Sequence, residues 1–312
     1  MDIVVVSLNP SIDWHLTTPA FVYGGLNRVE VGERYASGKG INVCAALKNL
    51  GLDPLCMGFN FQENGALITD ALDEWGVGHD FITVEGAVRT NIKLYDNEGT
   101  MTELNQPGAF VPMEALSRLY DKIKAIAADD SILVLSGSMP PGVEVDAYQK
   151  LCELWPGPVI LDTGGEALKL AIAGDKPPVC IKPNRFELEY TFKVELPTKE
   201  DIAAFCRELL QTYGMQYICT SLGAKGAVLT TRTAAYYMPG LELPVKGVQG
   251  AGDAMVAALA FGLTIDAPEE KLLRMASAAA GASVIREGSL MCNAADFIIF
   301  MVEMPVVEKL LY

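Results

Sequence analysis

Short apolar runs alternate along this chain with longer stretches of helical spacing. Residues 3–8, 54–58, 132–136, 159–162, 179–182 and 217–220 predict strands; unbroken apolar runs of this kind fit a sheet covered on both faces. Residues 40–50, 65–75, 112–127, 145–154, 166–172, 199–213, 251–261 and 268–284 predict helices. Asn9-Pro10 closes the first strand as a turn, and Gly51 stops the first helix. Strands that alternate with helices predict an α/β fold, a mostly parallel sheet between two helical layers.

Two regions break this rhythm. Residues 12–35 carry short extended patches without a helical period. Residues 79–104 carry patches at 81–84, 89–95 and 101–104, separated by turn residues. Both predict hairpin strands. They are expected to be segments of a small lid sheet within one domain spanning 1–312. Such a sheet either excludes water during a transfer reaction or serves as a sheet extension or a dimer surface. Residues 297–312 are apolar in places and predict a final strand packed against the body.

Charge narrows the partners. The chain has 39 acidic and 24 basic residues, a formal charge of −15, which argues against nucleic acid. An anionic small molecule responds to local charge in a cleft and is not excluded. Seven cysteines are spread without a CxxC pair, and two histidines make a Cys/His zinc site a poor expectation. No apolar run reaches membrane-spanning length, and the first residues carry no basic leader pattern; the expected compartment is the cytoplasm, with no membrane partner.

The candidate chemistry sits in loops that follow strands. Gly250-Ala251-Gly252-Asp253 precedes an apolar helix. Free amides at a helix start favour anions, so Asp253 there can take a proton while the amides hold a phosphoryl group; an ordinary capped turn has the same look. Ser37-Gly38-Lys39-Gly40-Ile41-Asn42 offers glycines for close approach, a cation and an amide, without the spacing of a Walker or dinucleotide loop. Asp13 suits paired sugar hydroxyls or a turn cap. Arg89 and Ser138 come from separate loops and suit a phosphate clamp, with Arg28 a further candidate. Asn184 and Glu187 suit magnesium or a helix cap. The loop 221–227 suits a nucleotide phosphate or a plain strand connection.

Taken in order, these segments resemble the ribokinase-like (PfkB) carbohydrate kinases, from about residue 2 to about residue 290. The likeness is strongest to the branch that contains 1-phosphofructokinase and tagatose-6-phosphate kinase. It implies a three-layer α/β/α sandwich with a β lid. It implies Asp253 as general base, with Gly250, Ala251 and Gly252 in the anion hole. Asp13, Gly38 and Asn42 match sugar positions; Lys39, Arg89, Ser138 and Arg28 match positions near the substrate phosphate. Lys182, Asn184, Glu187, Ser221, Gly223 and Gly226 match the ATP side, with Asn184 and Glu187 serving Mg2+ directly or through water. The implied partners are ATP, a sugar phosphate and a second copy through the lid.

Four places depart from the family's usual pattern: Ser37 for a glycine, Gly164-Gly165-Glu166 after Asp162-Thr163, Ala254 after the base, and 60–64 for a glycine-rich segment. The expected reaction is ATP-dependent phosphorylation of a ketohexose phosphate, first fructose 1-phosphate, with tagatose 6-phosphate or fructose 6-phosphate as alternatives. A noncatalytic sugar-phosphate or nucleotide sensor is the expectation from another class.

Overall fold

The computed structural model describes residues 1–286 and 291–310. Its first half contains strands β1 (Asp2–Ser7), β2 (Ser11–Thr17), β3 (Glu30–Ser37), β4 (Leu55–Glu63), β5 (Gly78–Ala87), β6 (Arg89–Tyr95), β7 (Met101–Asn105) and β8 (Ser131–Ser136). Helices α1 (Lys39–Asn49), α2 (Ala66–Trp75) and α3 (Met113–Ile126) lie among them. The second half adds α4 (Ala147–Leu154), β9 (Val159–Asp162), α5 (Gly165–Ala173), β10 (Cys180–Ile181), α6 (Arg185–Phe192), α7 (Lys199–Tyr213) and β11 (Tyr217–Ser221). It closes with β12 (Ala227–Thr231), β13 (Ala235–Met238), α8 (Ala251–Thr264), α9 (Glu269–Val284), α10 (Ala294–Glu303) and β14 (Glu308–Leu310).

The main sheet has ten strands in the order β14-β13-β12-β11-β10-β9-β8-β1-β4-β5. From β11 to β5 every pairing is parallel; β12, β13 and β14 extend the sheet antiparallel. The central strands β1, β8 and β9 are buried along almost their whole length, which is why their sequences are apolar without alternation. Helix α8 packs on α1 and α9, while α3 to α6 pack as a chain of neighbours. These groups are the two outer layers of the expected α/β/α sandwich. Burying this much apolar surface is the main force holding the layers together.

A second sheet of four strands, ordered β3-β2-β6-β7, stands apart. The expected lid region 79–104 is divided by the structure. Its first part is β5, which pairs in parallel with β4 at the edge of the main sheet; only β6 and β7 join the accessory sheet. The alternation over 81–84 reflects a half-buried edge strand, which sequence pattern does not distinguish from a hairpin. The expected strand over 297–312 begins as helix, over 297–303, and its last two residues lie outside those described. Asn293 caps α10 by accepting the Asp296 amide at 2.8 Å, and only β14 is extended. The pattern also missed β12 and β13, whose runs are short and follow each other through a tight connection. No helix among the described residues is long and apolar enough to cross a membrane.

Candidate active site

In a parallel sheet every strand delivers its C-terminal loop to the same edge, and side chains distant in sequence meet there. The ends of β9, β10 and β11 and the loops after them share one cavity with the start of α8. Gly250 is the residue before that helix, at φ +73°, a conformation that side chains disfavour. The turn it allows places Asp253 in the first helical turn, buried, where the Asn42 amide donates to it at 2.8 Å. Burial pushes the Asp253 carboxyl up to about 6 against the opposing pull of Lys39.

A residue that sequence reasoning treated only as the end of a strand organises the site. Asp162, fully buried at the end of β9, lies 3.1 Å from the Lys39 ammonium and 3.3 Å from that of Lys182. The Ser136 hydroxyl also donates to it. Burial alone would raise its carboxyl, but Lys182 and Lys39 outweigh burial and hold it below the usual range. In return Asp162 pulls Lys39 up. The signal was present: one acid terminates an otherwise apolar buried strand.

A Cβ on Gly252 would sit only 3.4 Å from the Lys182 ammonium, so that cation stands at the amide end of α8. Two ammonium groups and free helix amides thus meet beside a buried carboxylate. Positive potential of this kind receives a transferring phosphoryl group.

Two cavities adjoin at Lys39 and Glu187. The larger, about 900 Å³, is lined by Asp162, Lys182 and Asp253 and by apolar side chains, among them Leu241, Leu243 and Met255. That mixture suits the phosphates and base of a nucleotide. Ser221, Gly223 and Gly226 line it. Gly226 is needed because a Cβ there would come within 2.0 Å of the Met238 carbonyl, whereas Gly223 faces open space at φ +61°. The second cavity, about 710 Å³, is lined by Lys39, Ser138 and Thr163 among others.

Asn184 and Glu187 form a capping box at the start of α6. The Glu187 amide donates to Asn184 Oδ1 at 2.8 Å, and the Asn184 amide donates to Glu187 Oε2 at 2.7 Å. The other oxygen, Glu187 Oε1, faces Lys39 at 3.9 Å. No group of three acidic, histidine or cysteine side chains able to cage a metal exists among the described residues. Asn184 and Glu187 supply oxygen atoms of the kind that a divalent ion takes, directly or through water.

On the sugar side, Asp13 of β2 accepts from Ser37 at 3.0 Å and from Asn91 at 3.1 Å. Gly38, at φ +105°, lets the loop press against Pro10. Arg89 donates through Nε and Nη2 to the Asn9 carbonyl at 3.3 and 3.2 Å, and Asn9 donates to Ser138 Oγ at 3.2 Å. The turn after β1 thereby joins Arg89 to Ser138. Asp13 and Arg89 line neither cavity; they belong to the accessory sheet above. Arg28 is exposed between β2 and β3 and lines neither cavity.

The accessory sheet adds residues left unassigned by sequence. Pairing of β2 with β6 sets Asp13 beside Asn91 and His15 beside Lys93. The period of two in Arg89-x-Asn91-x-Lys93 puts all three on one face, a signal that was readable. Burial lowers the His15 ring's pKa, favouring its neutral form. The irregular segment 60–64 is explained locally: Asn60 donates to the Gly65 carbonyl at 3.0 Å and closes the turn from β4 to α2.

Comparison with known proteins agrees with this arrangement. Residues 2–295 match the pfkB family carbohydrate kinase model. The 1-phosphofructokinase of Bacillus subtilis (strain 168) is 31% identical over 288 residues, covering 91% of this chain and 93% of that protein. That of Escherichia coli (strain K12) is 33% identical over 288 residues, covering 90% of each. The crystal structure of phosphofructokinase-2 from Escherichia coli in complex with substrates and products superposes with a TM-score of 0.91 at 26% identity, covering 97% of this chain and 99% of that one. Its complex with fructose-6-phosphate gives 0.88 at 27% identity, with the same coverage.

Proposed function

This chain belongs to the pfkB family and is an ATP-dependent sugar kinase, and from that premise we propose that it converts fructose 1-phosphate to fructose 1,6-bisphosphate. The observation that carries the proposal is the buried Asp253 at the amide end of α8, flanked by the Lys39–Asp162–Lys182 cluster where two cavities meet. Similarity to 1-phosphofructokinases over nine-tenths of the chain supports this sugar phosphate.

The mechanism follows from the residues. Asn42 holds the Asp253 carboxylate toward the acceptor hydroxyl. With its pKa raised to about 6, Asp253 is ionised about ten to one at pH 7, yet basic enough to accept a proton. The hydroxyl proton passes to Asp253 as the sugar oxygen bonds to the γ-phosphorus. The bond from that phosphorus to the bridging oxygen breaks, and ADP leaves. Lys182 and the amides of Gly250 to Gly252 hold the charge that develops on the phosphoryl oxygens. Lys39, Arg89 and Ser138 hold the phosphate already on the sugar. Asn184 and Glu187 would hold a divalent ion, which we take to be Mg2+, directly or through water, and it would neutralise charge on the nucleotide phosphates. The accessory sheet acts as a lid against water. Its exposed Val22, Tyr23, Leu26 and Val31 fit a homodimer through the lid, and seven free, buried cysteines fit a reducing cytoplasm.

One observation favours a second substrate reading, fructose 6-phosphate: the similar fold of phosphofructokinase-2 was solved with that sugar. A coupled assay comparing kcat/KM for fructose 1-phosphate, fructose 6-phosphate and tagatose 6-phosphate decides. Fructose 1-phosphate is expected to lead by at least about tenfold. A lead for either 6-phosphate moves the assignment to that sugar, and a preference for an unphosphorylated sugar removes the proposed work of Lys39 and Arg89.

A further inference from the structure

Strand alternation gives the accessory sheet a polar face, and one corner of it reaches the catalytic helix. Antiparallel pairing of β6 with β7 sets Lys93 opposite Glu103 and Tyr95 opposite Met101. The Lys93 ammonium, almost wholly buried, lies 2.7 Å from Glu103 Oε1. Gln249, the residue immediately before Gly250, extends its amide into this corner. Its Nε2 donates to the same Glu103 oxygen at 3.2 Å and lies 2.8 Å from the Met101 sulfur. Although burial acts to raise the Glu103 carboxyl, its bonds from Lys93, Asn105 and Gln249 keep it below the usual range, hence an anion at neutral pH.

The position of Gln249 gives this contact its consequence. One peptide link separates it from Gly250, whose left-handed backbone aims the amides of α8 and the Asp253 carboxylate. On the other side, the strand that carries Lys93 also carries Asn91, which bonds Asp13, and Arg89. Resting on the kinase reading above, we propose that Gln249 is a positioning residue that fastens the lid sheet to the start of α8. Seating of the sheet over the acceptor sugar and alignment of Gly250 to Asp253 then occur together. A closed lid without an aligned base, or an aligned base open to water, is disfavoured, which directs the phosphoryl group to sugar rather than water.

The test uses the full chain and the sugar phosphate that the acceptor panel selects. It measures ADP formed per sugar phosphorylated, kcat/KM for the acceptor, and thermal melting. Gln249→Glu sets a second carboxylate against Glu103. A fall of about tenfold in acceptor kcat/KM is expected, the size of one lost hydrogen bond near the reacting groups, with the ADP-to-sugar ratio rising and melting nearly unchanged. Gln249→Ala, which only removes the amide, should move both readouts in the same direction. The double variant Gln249→Glu/Glu103→Gln restores a carboxylate–amide bond with the roles exchanged, and both readouts should return to within about threefold of the parent. An unchanged ADP-to-sugar ratio in both single Gln249 variants overturns the proposal. So does a double variant as defective as its single changes combined. Failure of the kinase reading would look different, as a parent protein that forms no ADP with any acceptor.

Discussion

At the scale of single residues, Asp253 carries a cost that its chemistry requires. Its folded pKa of about 6 lies above the ordinary carboxyl value of 3.8, so the fold disfavours the ionised form. The sign follows: the contribution of this group to stability is complete below about pH 3.8 and is lost as pH rises toward 6. At pH 7 the whole cost is present, at most about 3 kcal/mol from a shift of this size. Asp253→Asn keeps an acceptor for Asn42 and removes the charge. Turnover should fall by about a thousandfold, within the usual range for losing a general base. Melting temperature at pH 7 should rise, and that gain should vanish near pH 4. Near-normal turnover would remove Asp253 as the base; a gain that ignores pH would mean that buried charge is not its source. Asp253 was legible because a glycine-rich turn before a helix marks its place. Asp162 was legible only as an acid that ends an apolar strand; nothing local says that two lysines from other loops will surround it.

At the scale of elements, α6 opens on a capping box whose residues are also the proposed magnesium-serving pair. Both readings of Asn184 and Glu187 stood open in sequence, because a capping box and a pair of oxygen ligands use the same residues at the same spacing. The structure shows the cap, and leaves Glu187 Oε1 turned toward Lys39. Glu187→Gln separates the two roles. A glutamine still accepts the Asn184 amide, so melting should stay within a degree or two of the parent. The charge is gone, so the magnesium concentration needed for half-maximal rate should rise several-fold. A magnesium titration coupled to ADP production checks this, and an unchanged midpoint would leave Glu187 a cap alone. The accessory sheet teaches the limit of pattern at this scale. Alternation over 79–104 signalled strands, but a half-buried edge of the main sheet and a strand of the lid carry the same period. Pairing partners, which depend on distant residues, placed β5 with β4 and β6 with β2.

At the scale of the whole molecule, the outer part of the lid carries exposed apolar side chains that nothing in one chain covers well. Tyr23, Leu26 and Val31 are more than two-thirds exposed. A second copy meeting through this sheet would bury them and shield its edge strands from wrong pairing. Light scattering is expected to give a dimer mass, and the double variant Leu26→Asp/Val31→Asp a monomer. A parent that scatters as a monomer at assay concentration would remove the dimer.

The residues by themselves determined the class of fold, because a buried parallel strand and an amphipathic helix each leave a period or run that needs no partner to be seen. The reaction type came from the resemblance that the loops carry together, since each loop alone reads equally as an ordinary capped turn or strand connection. Tertiary structure decided what depends on meeting. It brought Asp162 between Lys39 and Lys182, parted the region 79–104 between two sheets, and joined Gln249 to Glu103 across about 150 residues of chain. Ion pairs and hydrogen bonds of that kind act over a few ångströms, and no local pattern records which distant loops the sheet will bring so close.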